Sequence, residues 1–343
     1  MPRALVTGGT GLVGSHVIER LVRDGWSVRA LVRTPSRLVE ELGAECQTGD
    51  VLDADALRRA AVGCDVVFHN AAAITPRGGW EAFRRLNLDG TTNAIAAAQA
   101  SRARLVQLSS VAVYGPRARY RRDGLKTDET TPLASLPERA YYARSKRESE
   151  QLVMEAHTAG KIWATALRPT VIYGRRDRQF VPRISRLLSR GFAPLIGGGV
   201  STFSVVNAVN VADGVVRAAT SDLAGGRAYN LANDFDVTVR RFFELAGDGL
   251  GRRVRFVSLP TPVARGALRT VKAITRVLTG GRMSVVSNAS LSLLTQDNPF
   301  ASDRARAELG WSPSVRPEIG VPDAFRWWVT HGRASTRETV LEK

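Results

Sequence analysis

Lysine is scarce in this chain of 343 residues: five of its 49 basic residues are lysine and the rest are arginine, set against 32 acidic residues and a formal net charge of +17. Such an excess suggests nucleic acid. The arginines, however, run along the whole length, the aromatics are not interleaved with the basic clusters, and no recognised DNA- or RNA-binding module is present, which tells against that partner. Cysteine is nearly absent. Cys46 and Cys64 are too few for a disulfide framework or a zinc site, and both are expected buried and inert in a reducing compartment, with no metal bound. Repeats and low-complexity tracts are lacking, and no apolar run reaches the length of a membrane span. The first residues read as a strand, not as a charged and then apolar leader, so the expected location is cytoplasmic.

What is present begins at Ala4-Leu-Val-Thr-Gly-Gly-Thr-Gly-Leu-Val-Gly-Ser-His16, a short apolar strand running through a glycine turn into a helix. Gly8, Gly11 and Gly14 are spaced for a tight turn, a pyrophosphate lying on bare main chain, and a helix packed closely on the sheet. The pyrophosphate would rest at the positive helix end near Leu12 and Val13, with Thr7 at the strand end. Val13, Val17, Ile18, Leu21 and Val22 repeat at helical spacing.

The next strand, Ser27–Val32, ends in Arg33, where NAD sites usually carry an acidic residue for the ribose hydroxyls. A guanidinium there suits a 2′-phosphate, with Arg37 as a second contact, so NADP(H) is the expected cofactor and NAD(H) the secondary one.

Strand and helix then alternate: Ala44 to Gln47 extended, Asp53 to Ala61 helical, Asp65 to His69 extended, a long helix around Trp80 to Ala100, and Leu105 to Ser109 extended. Such alternation predicts an α/β fold, a Rossmann-type doubly wound parallel sheet with helices on both faces and right-handed crossovers. Ligands in such sheets bind beyond the carboxyl ends of the strands. The residues to read there are Asp50 and Val51, Asn70, Ala71 and Ala72, Ser109 and Ser110, and Pro169, Thr170 and Val171.

Tyr142 and Lys146 stand four residues apart, one turn along a helix face. A phenol titrates near pH 10, so proton transfer near neutrality needs its anion stabilised by a neighbouring cation, here Lys146 and an oxidised nicotinamide. Ser110 is placed to hold a substrate carbonyl oxygen, with Ser109 as its rival.

These motifs, in order, resemble those of an extended short-chain dehydrogenase/reductase: Thr7 to Gly14, Asn70-Ala-Ala72, Asn87-Leu-Asp-Gly-Thr91, Ser109-Ser-Val-Ala-Val-Tyr-Gly115, Tyr142-Ala-Arg-Ser-Lys146 and Arg168-Pro169. The resemblance implies Ser110 as the carbonyl-holding serine, Tyr142 as acid/base, and Lys146 holding the nicotinamide ribose. It implies Asn87 as the asparagine that supports the lysine through water. Tyr141 has Ser145 four residues on and does not fit the tyrosine role. Arg33 departs from the acidic pattern of the NAD-bound epimerases and dehydratases of the family.

Residues 1–175 are expected to form the cofactor domain with the catalytic triad, and residues 176–343 mainly a smaller substrate-binding α/β domain. Leu195-Ile-Gly-Gly-Gly-Val200 with Phe203 to Asp213, and Tyr229-Asn-Leu231, resemble the family's return to the core, a return expected around 203–230. Asp303 to Leu309 with Gly310-Trp311-Ser-Pro313 resembles its closing motif. Pro262 to Leu278 reads as a basic amphipathic helix, either packed on the second domain or touching a membrane surface weakly. By weaker resemblance it points to the steroid dehydrogenase and dihydroflavonol reductase branch. Two arginine clusters, Arg117 to Arg122 near the expected site mouth and Arg175 to Arg178, are expected on loops. The leading reading is an NADP-dependent oxidoreductase of a ketone, aldehyde or secondary alcohol on a mid-sized, partly apolar small molecule such as a sterol, terpenoid, polyketide or flavonoid. The alternatives are a sugar-nucleotide epimerase or dehydratase and a non-catalytic NADP sensor. A homodimer stays open.

Overall fold

Alternating apolar residues in the central strands face two separate cores, and this builds the sheet. The structure is a computed structural model; it describes residues 1–343 except 75, 77, 116–124, 233, 234, 236, 261, 264, 265, 267–294, 342 and 343. The strands are β1 (Arg3–Thr7), β2 (Ser27–Val32), β3 (Glu45–Thr48), β4 (Val66–His69), β5 (Arg104–Leu108), β6 (Ala164–Pro169) and β10 (Ala228–Leu231), all parallel, in the spatial order β10-β6-β5-β4-β1-β2-β3. The order reverses between β1 and β4. A crevice therefore opens at their carboxyl ends, the place where such sheets hold ligands.

Ala4 and Val6 of β1 join one core with Val17, Ile18 and Leu21 of α1 (Leu12–Arg23) and Val211 and Val215 of α8 (Ala208–Thr220). Leu5 joins the other, with Leu57 of α3 (Ala54–Ala61), Ala94, Ala97 and Ala98 of α5 (Gly90–Ser101), and Val153 and Ala156 of α6 (Tyr141–Thr158). Period-two burial on both faces is what a parallel sheet covered by helices requires.

The chain divides into two compact units: Met1–Ile172, Val206–Ala232 and Phe300–Ser314 form the first, and Tyr173–Val205, Asn233–Pro299 and Val315–Lys343 the second. The short strands β7 (Val171–Tyr173) and β9 (Val205–Asn207) lie where the chain passes between them. The chain returns to the first unit over Val206–Ala232, while β8 (Phe192–Ile196) hydrogen-bonds to β11 (Arg255–Leu259) inside the second unit. A further return was not foreseen: α10 (Asp303–Leu309) leads to Trp311, whose buried indole donates to Asn210 O at 2.8 Å within the first unit.

The expected helix over Trp80 to Ala100 is interrupted. After α4 (Gly79–Phe83) come six π-helical residues, Arg84–Asp89, and then α5. The wider turn brings Asn87 to the buried side, a use of π segments common at functional sites. Cys46 is half-buried, contrary to expectation, because edge strand β3 has only β2 beside it. Cys64 is buried, and that burial pushes its thiol up.

The second unit is built on aromatics. The Phe242 ring of α9 (Val239–Gly249) lies 5.0 Å from Phe203, 5.5 Å from Tyr173, 5.9 Å from Phe180 and 6.2 Å from Phe325, the last on α11 (Pro317–Leu341). The Arg175 to Arg178 cluster is structural here. Arg175 forks onto Asp323 at 2.6 and 2.7 Å, and Asp177 accepts from the amides of Gln179, Phe180 and Val181 at the start of α7 (Phe180–Leu188).

Candidate active site

One half of the site is bare backbone. Gly8 has φ +69, and a Cβ there would meet Ala71 N at 2.8 Å; a Cβ on Gly14 would lie 2.2 Å from Gly8 O. Only glycine fits either position. Gly11 precedes α1 with no side-chain cap, so the first amides of the helix have no intrahelical or side-chain partner. Leu12 is half-buried and Val13 lies in the core beneath the turn.

Beside this cradle the Thr7 hydroxyl, at the end of β1, accepts from Ala71 N at 3.3 Å and pairs with His69 Nδ1 at 2.9 Å. His69 Nε2 lies 3.2 Å from Thr91 Oγ1, which itself donates to Asn87 O at 2.7 Å. Since the Thr91 proton is committed, Nε2 is the protonated nitrogen and Nδ1 accepts from Thr7. Burial, with the nearby Lys146 charge, pushes His69 down to about 3, so it stays neutral.

Asn70 Oδ1 and Thr170 Oγ1 are buried without a hydrogen-bond partner. Buried polar atoms left unpaired are uncommon in folded proteins. Two of them, together with a cradle that admits no Cβ, fit a dinucleotide running over these strand ends. Pro169 ends β6, Thr170 N donates to Leu231 O at 3.2 Å, and Val171 is half-buried beyond. Ala71 is half-buried and Ala72 exposed.

At the end of β2, Arg33 is exposed and makes no ion pair among the described residues. Arg37 is also exposed but is already engaged, with Nε 2.8 Å from Glu41. Asp50 accepts from Leu52 N at 2.9 Å within its turn, and Val51 O accepts from Asn93 Nδ2 of α5 at 2.9 Å, so both are fixed by hydrogen bonds.

The other half of the site is buried polar side chain. Tyr142 and Lys146 share a stripe of α6. Burial pushes the Tyr142 phenol up from its ordinary value, and the nearby Ser110 hydroxyl works the other way. The phenol is therefore neutral, the form that donates a proton. Lys146 is 5% exposed, and its Nζ donates to Leu108 O at 2.7 Å. Burial pushes the ammonium down to about 8, with the Glu150 carboxylate opposing.

Geometry separates the rival pairs. Ser109 is buried and donates to Glu150 Oε2 at 2.5 Å, pointing away from Tyr142; Ser110 is the serine beside the phenol. Tyr141 packs against Trp80 and Phe83, each at 6.4 Å between rings. Asn87 accepts from Ala73 N at 2.7 Å and donates to Ala73 O at 3.1 Å and to Ser145 Oγ at 2.9 Å. Both of its amide protons are taken by these bonds, which tie the Ala73 loop to α6.

Thr91, Ser145 and Arg168 stood within motifs quoted from the sequence but were given no role there, and His69 and Glu150 were not singled out as members of the site. A histidine closing an apolar strand next to Asn70 was the one available signal; the other links span 58 residues from Asn87 to Ser145 and 18 from Glu150 to Arg168. The Arg117 to Arg122 cluster lies outside the described residues, as does the 262–278 segment except at Pro262, Val263 and Gly266. Among the described residues no group of three His, Cys, Asp or Glu side chains is placed to hold a metal, and no helix is long and apolar enough to cross a membrane.

The profile of the NAD dependent epimerase/dehydratase family matches residues 4–232. A 4-hydroxy-2-methyl-3-oxo-4-farnesyl-3,4-dihydroquinoline-1-oxide ketoreductase of Stigmatella aurantiaca is 32% identical over 330 residues, 94% of this chain and 96% of its own length. A 2-alkyl-3-oxoalkanoate reductase of Stenotrophomonas maltophilia is 30% identical over 336 residues, 93% of this chain and 97% of its own. Among solved structures, a UDP-glucuronic acid 4-epimerase from Bacillus cereus in complex with NAD has a TM-score of 0.73 at 18% identity, covering 96% of this chain and 98% of its own; it shares the fold.

Proposed function

The chain belongs to the NAD-dependent epimerase/dehydratase family and is a nicotinamide-dependent oxidoreductase; from that premise we propose that it uses NADP(H) to reduce a ketone whose neighbouring carbon carries an apolar alkyl or isoprenoid chain. The observation that carries this reading is the neutral Tyr142 phenol beside Ser110 with Lys146 one turn away, next to a glycine cradle and two unpaired buried oxygens. The names of the two relatives support the substrate class, since each places a 3-oxo group next to a carbon bearing an alkyl or farnesyl substituent.

When bound, the nicotinamide supplies the hydride that goes to the carbonyl carbon. The hydroxyls of Ser110 and Tyr142 hold the carbonyl oxygen, and Tyr142 gives it the proton, leaving a phenolate that the Lys146 ammonium stabilises. Proton transfer and oxyanion stabilisation of this kind contribute roughly 10²–10⁴-fold each. The residues for the dinucleotide are Gly8, Gly11, Leu12 and Gly14 at the pyrophosphate, with Val13 behind them. Thr7, Asn70, Ala71, Ala72, Pro169, Thr170 and Val171 line the strand ends, Asp50 and Val51 border the adenine, and Arg33 holds the 2′-phosphate. Arg33 carries the NADP preference because its guanidinium is exposed and unpaired, whereas Arg37 is held by Glu41.

The test is NADPH consumption at 340 nm against a panel of 2-alkyl-3-oxo compounds, simple ketones and nucleotide sugars, with NADPH and NADH affinities measured in parallel. Turnover of alkylated ketones with NADPH preferred is expected. Turnover confined to nucleotide sugars, or NAD held tightly through purification, overturns the reading.

A further inference from the structure

Three charges are buried together behind the phenol: Lys146 at 5%, Glu150 at 6% and Arg168 at 8% exposure. Tyr142, Lys146 and Glu150 stand at i, i+4 and i+8 on α6, one stripe of the helix. The Glu150 carboxylate is held from two sides. Arg168 Nε reaches both of its oxygens at 3.1 Å while Nη2 bonds Oε1, and the Ser109 hydroxyl donates to Oε2. Arg168 is braced in turn: Nη1 donates to Tyr114 OH at 2.9 Å, and that hydroxyl donates to Asn230 Oδ1 at 2.9 Å. Lys146 Nζ donates to Leu108 O, the residue before Ser109, so α6 grips two consecutive residues at the end of β5 with its ammonium and its carboxylate.

A buried ion pair is weak grounds for stability, since desolvation of both charges can cancel their attraction. Here, however, the carboxylate stands among two cations, and without it Lys146 and Arg168 would face each other unneutralised in the interior.

Resting on the catalytic reading above, we propose that Glu150 is a positioning residue of the reaction, its carboxylate clamped by Arg168 and Ser109 one turn beyond Lys146 so that the ammonium, held on Leu108 O, stays charged. The charged and titratable surroundings of Lys146 leave this role to Glu150. On α6 these are Tyr142, Glu150 and Arg147, the last donating to Val113 O and Ala134 O. From β4 comes neutral His69, and from β6 Arg168 behind Glu150. The Val111–Tyr114 turn adds the Tyr114 phenol, which burial pushes up to about 12. On the π segment Arg84 pairs with Glu81 of α4 and with Asp89, and Arg85 is exposed; α5 carries no charged residue. Glu150 is the one carboxylate among these described groups that acts on Lys146.

The experiment compares wild type and Glu150→Gln in two readouts: the pH profile of kcat with NADPH, and a 13Cε-lysine NMR titration with the Lys146 signal assigned from Lys146→Arg. The expected result is that the basic limb of the profile and the Lys146 titration both move to lower pH by about one unit, roughly tenfold in proton concentration, through loss of the opposing charge. Glu150→Asp, which keeps the charge, restores most of the shift. If Glu150→Gln does not fold, the double variant Glu150→Gln/Arg168→Met is read against Arg168→Met alone, so that the loss of the carboxylate is compared with the arginine charge absent from both. An unmoved profile and titration in a folded variant overturn the proposal, whatever the loss of stability. If the protein reduces no ketone at all, the proposed function fails, while the lysine titration still decides the role of Glu150.

Discussion

The two halves of the site are made by opposite means. At the ends of β1 and β4 the proposed cofactor cradle is built by leaving side chains out: Gly8, Gly11, Gly14, Ala71 and Ala72 let main chain approach main chain, with clearances no Cβ would tolerate at Gly8 or Gly14. Along α6 the chemistry is built by burying side chains that ordinarily stay in water, Lys146 and Glu150 above all, with Ser109, Ser145 and Asn87 filled by hydrogen bonds around them. Shape makes the first half and charge the second. A change in the cradle should act first on binding and stability, and a change on the helix first on turnover and its pH dependence.

Tyr142→Phe should break the catalytic half most completely, lowering kcat at least about a hundredfold by loss of the proton donor, while NADPH binding measured by fluorescence stays nearly intact. An active variant would show that the helix is not where the chemistry lies. Gly14→Ala should break the cradle: its Cβ would stand 2.2 Å from Gly8 O, and overpacking of that kind costs about 1–3 kcal/mol, read as a lowered Tm together with weakened NADPH binding. Unchanged Tm and affinity would contradict the close-packed turn.

Arg33→Asp should weaken NADPH about ten- to a hundredfold and NADH far less, through loss of a charge-assisted hydrogen bond of roughly 1.5–3 kcal/mol. Equal losses for both cofactors would remove Arg33 from the 2′-phosphate. The pair of serines sharpens the contrast further: Ser110→Ala should lower kcat about tenfold or more by removing a carbonyl donor. Ser109→Ala, which leaves the Glu150–Arg168 pair in place, should cost mainly about 1 kcal/mol of stability. Equal kinetic losses would mean that the serine roles are not divided.

The smallest effect is in pH alone. Lys146 is held down to about 8 by burial, so its cation is present below that value and is lost above it. The reductive kcat should therefore fall as pH rises through about 8, whereas NADPH binding at the cradle should change much less over the same range.

Much of this was legible in the chain itself. The strand-glycine-helix passage at residues 4–16, the strand ends at Asn70 and Ser110, and the Tyr142 and Lys146 spacing are local patterns, and local patterns survive in a sequence because 3.6- and 2-residue periods and glycine spacings need no distant partner. What was not legible depends on residues far apart in the chain. Nothing near Ser109 shows that it turns to Glu150, 41 residues away, nor does anything near Asn87 show that six π-helical residues carry it to Ser145. The return of the chain at 300–314 and the aromatic cluster around Phe242 were hidden for the same reason, since their contacts carry no period.

The sequence by itself therefore determined the parallel sheet, its cofactor turn and the two chemical groups one helical turn apart, because each follows from backbone geometry over a few residues. Only the tertiary structure decided which serine lies beside the phenol, that Arg33 forms no ion pair among the described residues while Arg37 is held by Glu41, and which carboxylate stands behind the lysine. Those choices depend on burial and on the satisfaction of charge and hydrogen bonds between strands and helices brought together by the fold.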